Sequence, residues 1–329
     1  MKQSLLLAEF ANTPWALHPA AMHKLLGVLT RWNAGLQASP EVMAAIAVDK
    51  QAREARRQAA TQASASNGGG IAVLPLYGVI TQRGNMADDV SGPGSCSVQQ
   101  FTSQFRAAIA DPSVGQVLID FDSPGGSVYG VDELASEIYQ ARGKKPVIGI
   151  SNALCASAAY YVASQCDELY CTPSGEVGSI GVYTAHMNMS KAMEDDGVAV
   201  SLISAGKYKV EANPYGPLDD EARAAIQASV DGYYSMFTKA VARGRGVSIG
   251  AVRDGMGQAR CLSATDSLTE NMIDGVASFD DVIKGMQKNM RTGRTSASAE
   301  VMTVAHGLDT PPVINRLAQA RRALQIASA

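Results

Sequence analysis

The chain has 329 residues, 46% hydrophobic and 18% charged, an ordinary balance for a globular protein with a sizeable core. A formal net charge of −3 gives no overall attraction to nucleic acid or to an anionic membrane. Five cysteines (Cys96, Cys155, Cys166, Cys171, Cys261), none in a C-x-x-C pair, and only four histidines support neither a disulfide framework nor a metal site. No cofactor is expected, and a reduced, cytoplasmic setting is the simpler expectation.

The apolar run at Leu5-Leu6-Leu7 is cut by Glu9 and is too brief for a signal peptide. Residues 147–163 are interrupted by Gly149, Ser151, Asn152 and Ser157, so no membrane span is expected. Residues 1–57 read as a separate helical segment. Asn12 to Pro19 is a turn-rich lead-in, Ala20 to Leu36 is helical by pattern, and Ala44 to Arg57 is a second helix with a basic, solvated end. Residues 58–70 are poor in apolar bulk and end in three glycines, and they read as a linker.

From residue 71 strands and helices alternate. Ile71–Leu76, Val117–Phe121, Val147–Ile150, Glu168–Cys171 and Ala199–Ile203 read as strands. Ser97–Asp111 is a helix opening on a capping box (Ser97, Gln100), with Val98, Phe101, Phe105 and Ile109 on its apolar face. Val131–Arg142 is a helix closed by Gly143, and Asp219–Arg243 is a long helix with an acidic first turn. Repeated strand–helix units predict an α/β fold with a mostly parallel sheet over 71–285, and residues 286–329 read as a tail.

Three pieces of this domain point to acyl transfer. Ser157, between an apolar strand and a small-residue helix, is the candidate nucleophile, and unpaired N–H groups at the helix start can hold a developing negative charge. Taken alone, that segment fits a core helix with one buried hydroxyl at least as well. Ser123-Pro124-Gly125-Gly126 ends another strand, where ligands of open α/β sheets bind and where glycines leave backbone N–H groups uncovered. The general base is open between His186, the only histidine in 71–285, and a lysine in an apolar site such as Lys209.

Several motifs in register resemble the signal peptide peptidase A family of serine peptidases. They are the run from Ala156-Ser157 through Tyr160-Tyr161, Gly178-Ser179-Ile180-Gly181-Val182, Ser123-Pro124-Gly125-Gly126, Gly206-Lys207-Tyr208-Lys209 and Asp274-Gly275. The resemblance implies a crotonase/Clp-like fold of repeated ββα units and a Ser–Lys dyad. It makes Ser157 the nucleophile and Lys209 the base. Gly126 and Ala158 would supply the oxyanion hole, and Gly125 with Gly126 would bind substrate. Ala158-Ala159 stands where the family usually has Gly-Gly, and Asp122 where Asn is common.

Ala11 to Leu17 resembles the phage and prophage head-maturation branch of that family. That branch implies protein substrates such as scaffold, capsid or portal proteins, a homo-oligomer, and work in the host cytoplasm on procapsids, with no nucleic acid or membrane partner. A host-type signal peptide peptidase is one alternative, and a proteolytically silent capsid-assembly scaffold is another.

Overall fold

The computed structural model describes residues 13–33, 70–83 and 95–292, with a few positions between 39 and 51. After β1 (Trp15–Leu17) and α1 (Pro19–Asn33), a pattern of strand, short strand and helix occurs twice. In the first unit β2 (Gly70–Tyr77) turns at Gly78 into β3 (Val79–Thr81), and β4 (Ser95–Ser97) leads into α2 (Val98–Ala110). In the second, β5 (Val114–Ser123) turns at Pro124 into β6 (Gly125–Ser127) and then α3 (Val131–Ala141). Next, β7 (Val147–Ala156) runs directly into the short helix α4 (Ala158–Ala163), followed by β8 (Glu168–Cys171) and β9 (Glu176–Gly178). The remainder comprises α5 (Ser190–Asp195), α6 (Asp220–Arg245), α7 (Ile249–Asp254), β10 (Cys261–Ser263), α8 (Ala264–Thr269), β11 (Gly275–Val276) and α9 (Phe279–Thr292).

The larger sheet is mostly parallel. β2, β5 and β7 lie side by side, and β7 pairs in parallel with β8 along its first half and with β9 along its second. Among the described residues of this sheet, only β10 is antiparallel, on β9. Residues 117–121 and 147–150 are buried, as expected for strands covered on both faces. One cover is α2 with α3: Ser97 caps α2 by accepting the Gln100 N–H at 3.3 Å, and Phe101, Phe105, Leu134 and Ile138 are buried. The opposite cover is α9, whose Val282 and Met286 pack against Ile71, Leu118, Ile148 and Ile150. The architecture is α/β, as the alternation predicts. A smaller sheet in the order β1-β6-β3-β4 stands beside it.

Three places differ from the sequence expectation. Trp15–Leu17, expected as a turn-rich lead-in, is a strand built into the smaller sheet. Residues 199–203 do not form a strand: among the described residues no edge pairs with them, and Ile203 is 98% exposed. β-Branched side chains fit a pleated surface but cannot create one without a partner. Finally, α9 crosses residue 285 and continues to Thr292. Residues 58–69, most of 44–57, and 293–329 lie outside the described residues.

Candidate active site

Ser157 occupies the sharp joint between β7 and α4. Its backbone sits at φ 57°, ψ −120°, a conformation that costs a residue with a side chain on the order of 1–3 kcal/mol. Two bonds hold it there: the Ser157 N–H donates to the Gly178 carbonyl at 2.7 Å, and its carbonyl accepts the Tyr161 N–H at 2.9 Å. The side chain is 1% exposed, with Oγ 3.5 Å from the Gly181 carbonyl. Because the Ser157 N–H is taken, the next amide, Ala158, is the nearest candidate donor at the start of α4.

The glycine loop is held against this joint. Ser123 Oγ donates to the Gly78 carbonyl at 2.6 Å and accepts the Gly125 N–H at 3.1 Å, which pins the turn from β5 into β6. Gly125 has φ +93°, and a Cβ there would stand 2.9 Å from both Ala158 N and the Ala156 carbonyl oxygen. At Gly126 a Cβ would meet the Ile80 carbonyl oxygen at 1.9 Å, so β3 itself fills that space. The structure therefore brings Ser157, Ala158, Gly125 and Gly126 together, and side chains are excluded where backbone must approach backbone.

Lys209 is placed differently. It lies exposed in the turn-rich segment 205–212, its N–H donating to the Gly206 carbonyl at 3.2 Å, and no hydrogen bond joins it to Ser157. The neighbouring Lys207 is engaged by Glu221 at 2.8 Å and by the Tyr208 hydroxyl, and these bonds favour its charged form. His186 has Nε2 3.0 Å from the Asn213 carbonyl oxygen. Cys155 lies two residues before Ser157 but is fully buried, which holds its thiol well above the ordinary range and keeps it unreactive.

Two features near the serine were not visible in the sequence. Tyr161, on α4, stacks on Phe237 with ring centroids 4.6 Å apart and donates to Asp132 at 2.7 Å, forming one wall of a small apolar cavity. Trp15 and Tyr183 meet as an isolated antiparallel bridge. A three-residue strand in the short stretch between Pro14 and Pro19 carries no pattern long enough to detect.

Residues 140–292 match the family model described as Peptidase family S49. This part of the chain is similar to peptidase family S49. The chain is 32% identical over 234 residues to Capsid assembly protease C of Escherichia phage lambda, covering 71% of this chain and 52% of that protein. It is also 32% identical over 228 residues to Head-tail preconnector protein GP5 of Enterobacteria phage P21, covering 68% and 45% respectively. The chain is also 27% identical over 215 residues to Serine protease SPPA, chloroplastic, of Arabidopsis thaliana, covering 65% of this chain and 31% of that protein. The chain thus spans about half the length of the two phage proteins it matches. Among the described residues, no helix is long and apolar enough to cross a membrane.

Proposed function

We propose that the chain is a serine endopeptidase that processes scaffold, capsid or portal proteins during phage head assembly in the host cytoplasm. The observation that carries this is the strained Ser157 joint, with the Ala158 amide and the Gly125–Gly126 backbone packed against it. In this reading Ser157 Oγ attacks the scissile carbonyl while the neutral amine of Lys209 takes its proton. The N–H groups of Ala158 and Gly126 hold the oxyanion. The lysine then protonates the leaving amine, and water attacks the acyl-enzyme by the same proton route.

The exposed position of Lys209 fits a dyad completed between subunits. A homo-oligomer would bring the 205–212 segment of one copy to the serine of its neighbour, and exposed Val200, Leu202 and Ile203 lead into that segment. The phage relatives favour head-assembly proteins as substrates over the signal peptides of a host-type enzyme.

A fluorophosphonate probe should label the full chain at Ser157 and not the Ser157→Ala variant. Ser157→Ala and Lys209→Ala should each lower cleavage of co-encoded head proteins by at least 10³-fold. His186→Ala and Lys207→Ala should retain most activity. Activity lost in His186→Ala but kept in Lys209→Ala would sink the lysine mechanism.

A further inference from the structure

Residues 15–17 form the edge strand of the smaller sheet, next to β6. β1 is hydrogen-bonded along both edges. Trp15 donates its N–H to the Tyr183 carbonyl at 2.8 Å and accepts the Tyr183 N–H at 3.0 Å. On the other edge it runs antiparallel to β6, with Trp15 opposite Ser127, Ala16 opposite Gly126 and Leu17 opposite Gly125. The His18 N–H continues this ladder to the Pro124 carbonyl at 2.7 Å.

Backbone groups of a strand point alternately to its two sides. With Trp15 turned to Tyr183, Ala16 turns its N–H and carbonyl towards Gly126. A Cβ built on Gly125 would lie 2.3 Å from the Ala16 carbonyl oxygen and 2.9 Å from Ala158 N. The Ala16 carbonyl therefore faces Gly126 and lies in the neighbourhood of the Ala158 amide. Ala16 also borders the apolar cavity formed by Val128, Val131, Tyr161, Val182 and Phe237. Trp15, Ala16 and Leu17 are 5%, 2% and 1% exposed, so the strand is fully seated.

We propose that Trp15-Ala16-Leu17 is an internal occupant of the peptide groove. It lies as a substrate would, with Ala16 in the position before the scissile bond, and it excludes other peptides until displaced. The proposal rests on the peptidase reading of that groove. Adding a strand to a sheet edge is a general mode of peptide binding, in which main-chain bonds supply affinity and a side-chain slot supplies selectivity. A tethered strand competes at an effective concentration of about a millimolar, so an incoming peptide binds weakly while β1 is seated.

The test uses the full chain carrying Ser157→Ala, so that nothing is cut, and a fluorescent peptide of sequence Thr-Pro-Trp-Ala-Leu-His-Pro. Ala16→Asp sets a charge against the apolar cavity. Trp15→Gly removes the anchor that packs with Leu17, Met22 and Val79. Each should tighten peptide binding at least tenfold by fluorescence anisotropy. Ala20→Asp, on the exposed side of α1, should leave binding unchanged. Equal binding in all these chains overturns the inference. So does loss of the cooperative melting transition in both β1 variants, because residues 15–17 would then be a structural strand. Failure of the peptidase reading shows separately, as absent fluorophosphonate labelling in chains that retain Ser157.

Discussion

Gly126 is constrained by the backbone of β3 more tightly than by any ligand, since its missing Cβ would overlap the Ile80 carbonyl oxygen at 1.9 Å. Gly126→Ala should therefore destabilise the chain by about 1–3 kcal/mol and lower peptide cleavage together, read by urea unfolding and by turnover. Asp120 carries a different kind of tension. It is 4% exposed, and burial pushes its carboxyl up from 3.8 to about 6, while a hydrogen bond from Tyr77 pulls the other way. The folded chain therefore holds this proton more tightly than the unfolded chain does. The stabilisation is complete below about pH 4 and is lost as pH rises towards 6, a change on the order of 3 kcal/mol. Asp120→Asn should flatten unfolding free energy between pH 4 and 6 and raise it above pH 6. The placement of Ser157 at a sharp strand–helix joint and of the two glycines in a turn without side chains was legible in the sequence because those demands are local. Whether Lys209 reaches Ser157 was not legible, because it depends on where a loop 52 residues downstream settles.

The helices follow the sequence pattern closely because capping and apolar spacing act within a few residues. Asp219 accepts the Ala222 N–H at 2.7 Å at the start of α6, and Gly246, at φ 65°, closes its end. The strand expected at 199–203 did not form, since pairing depends on a distant edge that β-propensity does not encode. The end of α6 also explains Asp274-Gly275, a motif noticed in the sequence without a role. Arg245 is 1% exposed and grips Asp274 with bonds of 2.8 and 3.2 Å, while its Nε donates to the Asn271 carbonyl at 2.9 Å. Asp274 in turn accepts the Leu169 N–H at 2.8 Å, which ties α6 to β8. Asp274→Ala would leave a guanidinium buried without its counter-charge. The expected loss is about 3–5 kcal/mol in chemical denaturation, with no direct effect on the chemistry at Ser157.

Within one chain Ser157, Ala158, Gly125 and Gly126 lie together while Lys209 is exposed, and in the assembly proposed above a neighbouring subunit completes the dyad. Mixing Ser157→Ala chains with Lys209→Ala chains should restore a fraction of native turnover, since some interfaces would then hold one intact dyad. Sedimentation of the native chain should show a multimer, and Ile203→Lys should shift it towards monomer. No rescue among chains shown to co-assemble would place both residues in one subunit. The seating of Trp15 also has an optical consequence. The chain contains two tryptophans, Trp15 and Trp32, so Trp32→Phe leaves a single indole, buried against Leu17, Met22 and Val79. Its emission should be blue-shifted and shielded from iodide while β1 is in place. When a peptide displaces the strand, the emission should move to the red and become quenchable, and that change can be followed in real time without any added label.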